Sequence, residues 1–343
     1  MDLRHLLIIL LFFTYLSAHA QTLGGSTNYN FLRASTSPIT TASGGTNVTY
    51  LGNDAGPAFT NPALLSSNMD KELNASFTNL RGGIKIANLL GVYQSKKTAT
   101  TFGLGLVYIN YGEMQATDAG GNNYGTFKAV DYAIQASASR QYLQKWKYGM
   151  AAKWIHSGYG QYSSNAVAVD VAVLYHDSAQ QVNISVVAKN MGVAITSFGG
   201  KGEELPFDLV VGVSKKLSKA PFGFSVAANQ IHQFNLLYDD TLFNATNNFN
   251  NKVSTINKIF NHFVIAGHFY IGEHIEAIAG FNHLRRSELS LGTGAGLLGF
   301  SGGVTTKFKN LHISVAHTAY QKGISYNQFG LAFYLDGLVG LGH

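Results

Sequence analysis

The chain has no cysteine, few charges, and no late apolar run of the length a membrane-crossing helix requires. Without cysteine, disulfides, thiol nucleophiles and cysteine-held metals are excluded. Charged residues make up 12% of the chain, about half the usual share of a soluble protein. The net charge of +6 comes without an arginine-rich cluster, so nucleic-acid binding is not expected. What replaces charge is 38 Gly together with Tyr, Phe, Ser, Thr and Asn, a composition suited to many strands.

The N-terminus addresses the chain to the cell envelope. Arg4 and His5 precede the apolar run Leu6–Leu16, and Ala18, His19 and Ala20 supply a small-residue cleavage site. Residues 1–20 therefore read as a secretory signal peptide. The run is shorter than the roughly 20 residues of a spanning helix. Gln21 follows where a lipoprotein would have cysteine.

Residues 21–72 do not alternate as strands do. Asn61 is placed to cap a short helix with Pro62 in its first turn. One reading makes this segment a plug in a barrel lumen, with Phe59, Asn61, Pro62, Leu64 and Leu65 as its candidate residues. The other makes it an ordered lead-in packed against a rim.

From Leu73 the pattern changes. Fourteen strands are predicted over 73–80, 84–94, 100–111, 126–141, 146–157, 166–176, 182–190, 207–216, 222–231, 260–271, 274–283, 297–307, 311–319 and 326–335. Phe102, Leu104, Leu106 and Tyr108 share one face against Gly103, Gly105 and Val107, the period-two signature of a strand with one apolar side. Lengths near ten residues match tilted strands crossing a bilayer. Alternate connections are short (95–99, 142–145, 177–181, 217–221, 272–273, 308–310). The interleaved set is mostly longer (112–125, 158–165, 191–206, 232–259, 284–296, 320–325), with 81–83 the exception. Outer-membrane barrels sort their connections this way and soluble sandwiches have no reason to. The expected fold is an all-β transmembrane antiparallel barrel over 73–336, with a tail at 337–343 and both termini in the periplasm.

Chemistry is harder to find. Twelve histidines are scattered singly, without HExxH spacing. Asp118–Asn123 has oxygen ligands but not the calcium-loop pattern, and reads more simply as an Asx/Gly turn. Gly299, Ser301 and Gly303 match GxSxG, yet inside a strand rather than at a strand-to-helix elbow. Ser139 and Asp131 hold ordinary strand positions. Glu203, Glu204, Arg285 and Arg286 read as solvated loop charge, and Asp239–Lys258 as an Asn- and Thr-rich surface loop. The lysines at the short turns either solvate them or dock an acidic partner. No cofactor, metal or enzymatic activity is expected.

The polar stretch Thr117–Asp131 joins two of the best strands. Its surroundings run Tyr108, Tyr111, Gly112, Glu113, Met114, Gln115, Thr117, Asp118, Gly121, Gly125, Thr126, Phe127, Ala129, Asp131, Tyr132 and Ala133. That series resembles the signature of the PorV/PorQ family of type IX secretion system outer-membrane proteins, relatives of the FadL-type barrels. Leu23-Gly-Gly, Tyr29-Asn-Phe-Leu32 and Asn61-Pro-Ala-Leu-Leu65 resemble the family's N-terminal region, nearer its PorQ branch. The chain departs from the family at Arg33–Pro38, and its last residues lack the terminal aromatic of many barrels.

The resemblance implies fourteen strands and a non-enzymatic role, anchoring the cell-surface complex that receives and attaches secreted cargo. The partners it implies are the PorU sortase, PorV, PorZ and the cargo itself, beside outer-membrane lipid. Asp118, Asn122, Asn123 and Tyr124 are then the candidate partner-binding surface loop. The competing expectation is a FadL-type transporter of long-chain fatty acids or other hydrophobic compounds. A soluble secreted β-protein is the third.

Overall fold

The computed structural model describes residues 27–198, 203–236, 254–289, 296–321 and 324–335. The signal peptide, the C-terminal tail and residues 239–253 of the Asn-rich loop lie outside the described residues.

Fourteen antiparallel strands close into a barrel: β1 (Glu72–Asn79), β2 (Lys85–Ser95), β3 (Thr100–Thr117), β4 (Asn123–Tyr142), β5 (Trp146–Tyr159), β6 (Tyr162–Asp177), β7 (Val182–Thr196), β8 (Asp208–Lys216), β9 (Phe222–Ala228), β10 (Phe263–Ile271), β11 (Ile275–Asn282), β12 (Phe300–Lys307), β13 (Leu311–Gln321) and β14 (Ile324–Tyr334). Each strand pairs with its sequence neighbour. β1 closes the ring by pairing with β14 as well, Phe77 opposite Phe329.

The alternation decides which way each side chain faces. Phe102, Leu104, Leu106 and Tyr108 are exposed on the outer wall, as are Trp154, Phe224, Ile265 and Phe329. Apolar rows exposed around the whole circumference are what a lipid-facing surface requires. Tyr93, Tyr142, Trp146, Tyr148 and Phe222 gather near the short turns, where the aromatic belt of a bilayer interface belongs. No helix among the described residues is long and apolar enough to cross a membrane.

Several connections are shorter than expected, two of them notably, while β7 also continues to Thr196 and β13 and β14 extend to Gln321 and Ile324. Residues 112–125 and 158–165 were expected as loops, but β3 and β4 continue to Thr117 and Asn123, and β5 and β6 to Tyr159 and Tyr162. Polar residues such as Glu113 and Lys128 keep the ladder hydrogen-bonded beyond the apolar band. The hairpin of β3 and β4 therefore overhangs that band by roughly 20 Å, given about 3.3 Å of rise per residue and the tilt of barrel strands. The two rims are unlike: tight turns at one, and at the other tall hairpins and long connections.

The charges assigned to solvated loops are also corrected. Arg285 and Arg286 sit on the short helix His283–Leu289. Arg285 Nη1 donates to Thr318 Oγ1 at 3.0 Å, and Arg286 Nη1 to the Leu298 carbonyl at 3.3 Å. Glu203 accepts from Ser164 Oγ at 2.7 Å and from the Phe198 amide at 2.8 Å. These groups have fixed partners, because the long connections fold back over the hairpin rim.

Candidate functional site

Residues 27–71 have the short-helical character their sequence implies, with a helix at Pro38–Ala42 and 3₁₀ turns at Asn30–Arg33, Gly56–Phe59, Pro62–Leu64 and Ser67–Met69. Ser37 caps the first helix, its Oγ accepting from the Thr40 amide at 3.2 Å. Asn61 caps the turn at Pro62, its Oδ1 accepting from the Ala63 amide at 2.9 Å.

The segment lies inside the barrel. Its partners are inward-facing residues distributed around the ring. At the hairpin rim, Tyr29 hydroxyl meets Ser164 on β6, and the Asn28 amide donates to the Glu204 carbonyl. Deeper in, Gln328 of β14 accepts from Thr41 Oγ1 at 2.5 Å, and Ser301 of β12 donates to the Ala42 carbonyl at 3.0 Å. Asn61 Nδ2 donates to Ser185 of β7 at 2.9 Å, and Thr49 meets Ser214 of β8 at 2.5 Å. At the short-turn rim, Tyr334 of β14 donates to the Asn53 carbonyl at 2.8 Å. The chain thus passes along the interior from one rim to the other before entering β1.

The candidate plug residues are all buried within this segment. The Phe59 ring occupies the space that Gly105 leaves open: a Cβ there would lie 2.5 Å from its Cε1. Leu65 packs by Gly103 in the same row, and Ala63 lies against Gly149 of β5. Glycines that alternate with the exposed apolar residues of these strands are where the segment passes closest.

The surface-loop candidates fall at the hairpin tip. Asp118 Oδ1 accepts from the Gly120 and Asn122 amides, each at 2.9 Å. Its Oδ2 accepts from Asn122 Nδ2 at 2.9 Å and Tyr124 hydroxyl at 3.0 Å. This is an Asx turn, with Gly121 supplying its positive φ of 81°. The hydrogen bonds from Asn122 hold the Asp118 carboxyl below its ordinary pKa. Asn123 and Tyr124 belong to the start of β4, with the Tyr124 side chain 71% exposed.

One constellation has no counterpart in sequence spacing. Ser225 Oγ lies 3.1 Å from His268 Nε2, and His268 Nδ1 lies 2.9 Å from Glu276 Oε1. The pattern is that of a serine–histidine–acid relay. Its surroundings give it a different role. Ser225 is 5% exposed and Asn47 Nδ2 caps it at 3.5 Å. Tyr50 hydroxyl donates to the second Glu276 oxygen at 3.0 Å, and burial first, then the Glu276 charge, holds that phenol protonated. Ser225, His268 and Glu276 are all buried, and their bonds to Asn47 and Tyr50 tie the internal segment to β9, β10 and β11. Residues 43 and 8 apart meet only through the register of those strands.

Other polar groups of the wall have partners within the fold. Ser301 of the GxSxG match is bonded to the Ala42 carbonyl. Asp131 accepts from Tyr111 hydroxyl at 2.6 Å and Tyr159 hydroxyl at 3.2 Å. His156, His176 and His317 each engage an Asn side chain through Nδ1. Among the described residues no three His, Asp or Glu groups converge as metal ligands.

Comparison with known proteins gives a fold. No family model and no curated protein matches the sequence. Solved structures do. The Ralstonia pickettii toluene transporter TbuX is 11% identical with a TM-score of 0.50, covering 88% of this chain and 97% of its own. The Pseudomonas putida toluene transporter TodX is 13% identical with a TM-score of 0.51, covering 88% and 98%. A Pseudomonas aeruginosa FadL homologue is 10% identical with a TM-score of 0.50, covering 87% and 98%. The chain has the FadL-type outer-membrane β-barrel fold.

Proposed function

We propose that this barrel is a non-enzymatic outer-membrane component of a type IX secretion system, holding the cell-surface complex that receives and attaches secreted cargo. The observation that carries the reading is the state of its interior. Residues 27–71 run from rim to rim and bond to strands around the ring. A lumen so occupied supports a rigid support rather than an open conduit. The overhanging β3–β4 hairpin offers a stiff surface element with Asp118, Asn122, Asn123 and Tyr124 at its tip, and a partner domain would gain its affinity from such contacts. The resemblance of residues 108–133 to the PorV/PorQ signature supports the same reading and supplies the partners: a PorU-type sortase, PorZ and PorV. On this reading the hairpin rim faces outside the cell and the short turns face the periplasm, an orientation that strand parity supports.

Transport of a hydrophobic compound is the second reading, and the fold comparison favours it. Its structural support is the buried apolar row Ile86, Val107, Ile109, Ala133 and Ile155 on the inner wall of β2–β5. A segment that shifted would open that row to a greasy ligand.

Isolation of the full chain from outer membranes in mild detergent tests the first reading. Co-isolation of a sortase and surface partners is expected, and recovery of the barrel alone counts against it. In a deletion strain, normal uptake of a labelled fatty acid with lost attachment of secreted proteins eliminates transport. Lost uptake with normal secretion overturns the scaffold.

A further inference from the structure

Among the described residues, the lysines near the short-turn rim differ in whether they have a partner. Lys307 Nζ lies 3.9 Å from Glu276, and Lys145 Nζ lies 2.7 Å from Asp177. Lys216 Nζ sits 4.0 Å above the Tyr270 ring. Further in, Lys153 pairs with Asp170 at 2.6 Å. Lys147 has no hydrogen bond or ion pair among the described residues.

Its position is dictated by β5. Gly149, Ala151 and Lys153 face the lumen, so Lys147, in phase with them, does too, while Trp146 and Tyr148 are exposed outside. Its register partners are Gln141 on β4 and Leu174 on β6. There the strands and the Ser66–Asn68 turn enclose a cavity of 580 Å³ that reaches the short-turn rim at Gln144 and Ser178. The lining is rich in neutral hydrogen-bonding groups, including Gln94, Ser139, Gln141 and Asn183. Among the described residues, Lys147 is the only Lys or Arg of the lining, which also holds His176, and no Asp or Glu lines it.

We infer that this cavity binds a small hydrophilic anion, its carboxylate or phosphate group held by the Lys147 ammonium. A partly buried cation without a counter-charge is costly, and an entering anion removes that cost while making charge-assisted hydrogen bonds. The volume lies within the about 300–1,000 Å³ usual for small-molecule sites. The surrounding amides and hydroxyls fit a sugar ring or a peptide backbone and offer little to a fatty chain. The described lining offers a metal cation no carboxylate. The inference is independent of whether the barrel scaffolds or transports.

Calorimetric titration of the full chain in non-ionic detergent tests it, with inorganic phosphate, glucose 6-phosphate, N-acetylalanine and glucose as probes. At least one anionic probe is expected to bind and glucose at least tenfold more weakly. Tighter binding of glucose 6-phosphate identifies phosphate as the favoured group, and tighter binding of N-acetylalanine identifies carboxylate; either supports the site. Lys147→Gln is expected to weaken binding at least tenfold, Lys147→Arg to retain it, and the exposed-turn variant Lys97→Gln to leave it unchanged. Heat-modifiable gel migration establishes that each variant is folded. Should Lys147→Gln fail that check, loss of wild-type affinity with rising salt is the second readout. Absence of binding by all three anions, equal binding of glucose, undiminished binding by folded Lys147→Gln, or salt-independent affinity each overturns the inference.

Discussion

Lys153 and Asp170 face each other across β5 and β6 with 2.6 Å between Nζ and Oδ2, side chains 6% and 0% exposed. The pair is built into an irregularity of the wall. The β6–β7 register shifts between Val169 and Val171, and Asn190, at φ 57°, donates its amide to Asp170 Oδ1 at 2.7 Å. Lys153 also donates to Asn190 Oδ1 at 2.9 Å. Removing one partner leaves the other charge buried, which costs about 3–5 kcal/mol, whereas replacing both by apolar groups is often neutral. Asp170→Ala is therefore expected to lower the unfolding midpoint in urea strongly. The double variant Asp170→Leu with Lys153→Met is expected to recover most of it. Equal loss in single and double variants would show that the bulge itself, not the charge, is the sensitive element.

The internal segment passes β5 so closely that a Cβ on Gly149 would overlap the Ala63 backbone nitrogen, with the Pro62 carbonyl carbon 2.5 Å away. Backbone cannot swing aside as a side chain can, and overpacking of this kind costs about 1–3 kcal/mol. Gly149→Leu is expected to displace residues 57–66 while leaving the lipid-facing wall intact. Hydrogen exchange should accelerate at the Leu64 and Leu65 amides and stay slow in β3–β6. Unchanged exchange in the segment would refute this contact.

The Asp54 carboxyl is buried in the segment, where it accepts from the Gly56 amide and from Asn74 Nδ2, each at 2.9 Å. Desolvation outweighs those hydrogen bonds and raises its pKa above the ordinary 3.8. A raised folded-state value means the folded protein holds this proton more tightly than the unfolded chain. The associated stability is complete below the ordinary carboxylate range and is lost as pH rises through the folded value. Asp54→Asn keeps an acceptor oxygen and removes the charge. The variant is expected to melt higher than the parent at pH 8 and equally at pH 4, and a parent that is more stable at pH 8 contradicts the sign.

Ser225 has the partners of a nucleophile but is buried beneath Asn47 of the internal segment. A fluorophosphonate probe is expected to leave the folded full chain unlabelled, with no difference between the parent and Ser225→Ala. Labelling that disappears in the variant would show that the segment opens and that the relay is chemically active.

Much of the wall was legible. All fourteen strands were expected, most to within two or three residues at each end, because alternation is a local property and a lipid-facing side makes it strong. Phe102, Leu104, Leu106 and Tyr108 illustrate why: each second residue meets lipid, so each must be apolar. The overhang of β3 and β4 was missed for the same reason. Above the apolar band both faces of the hairpin are wet, and Glu113, Gln115 and Lys128 look like loop although their backbones still pair. Arg285 and Glu203 were misread because their partners, Thr318 and Ser164, are far away in sequence.

The residues alone determined the number of strands, the outward apolar rows, the inward glycines and the capped turn at Asn61 and Pro62. Each follows from interactions within a few positions of the chain or from the period of a strand. Only the closed ring decided what those inward faces meet. Gly149 lies against Ala63, Ser225 beside His268, and Lys147 over a cavity because β1 pairs with β14 and encloses residues 27–71. Such juxtapositions depend on strand register and closure around the whole circumference.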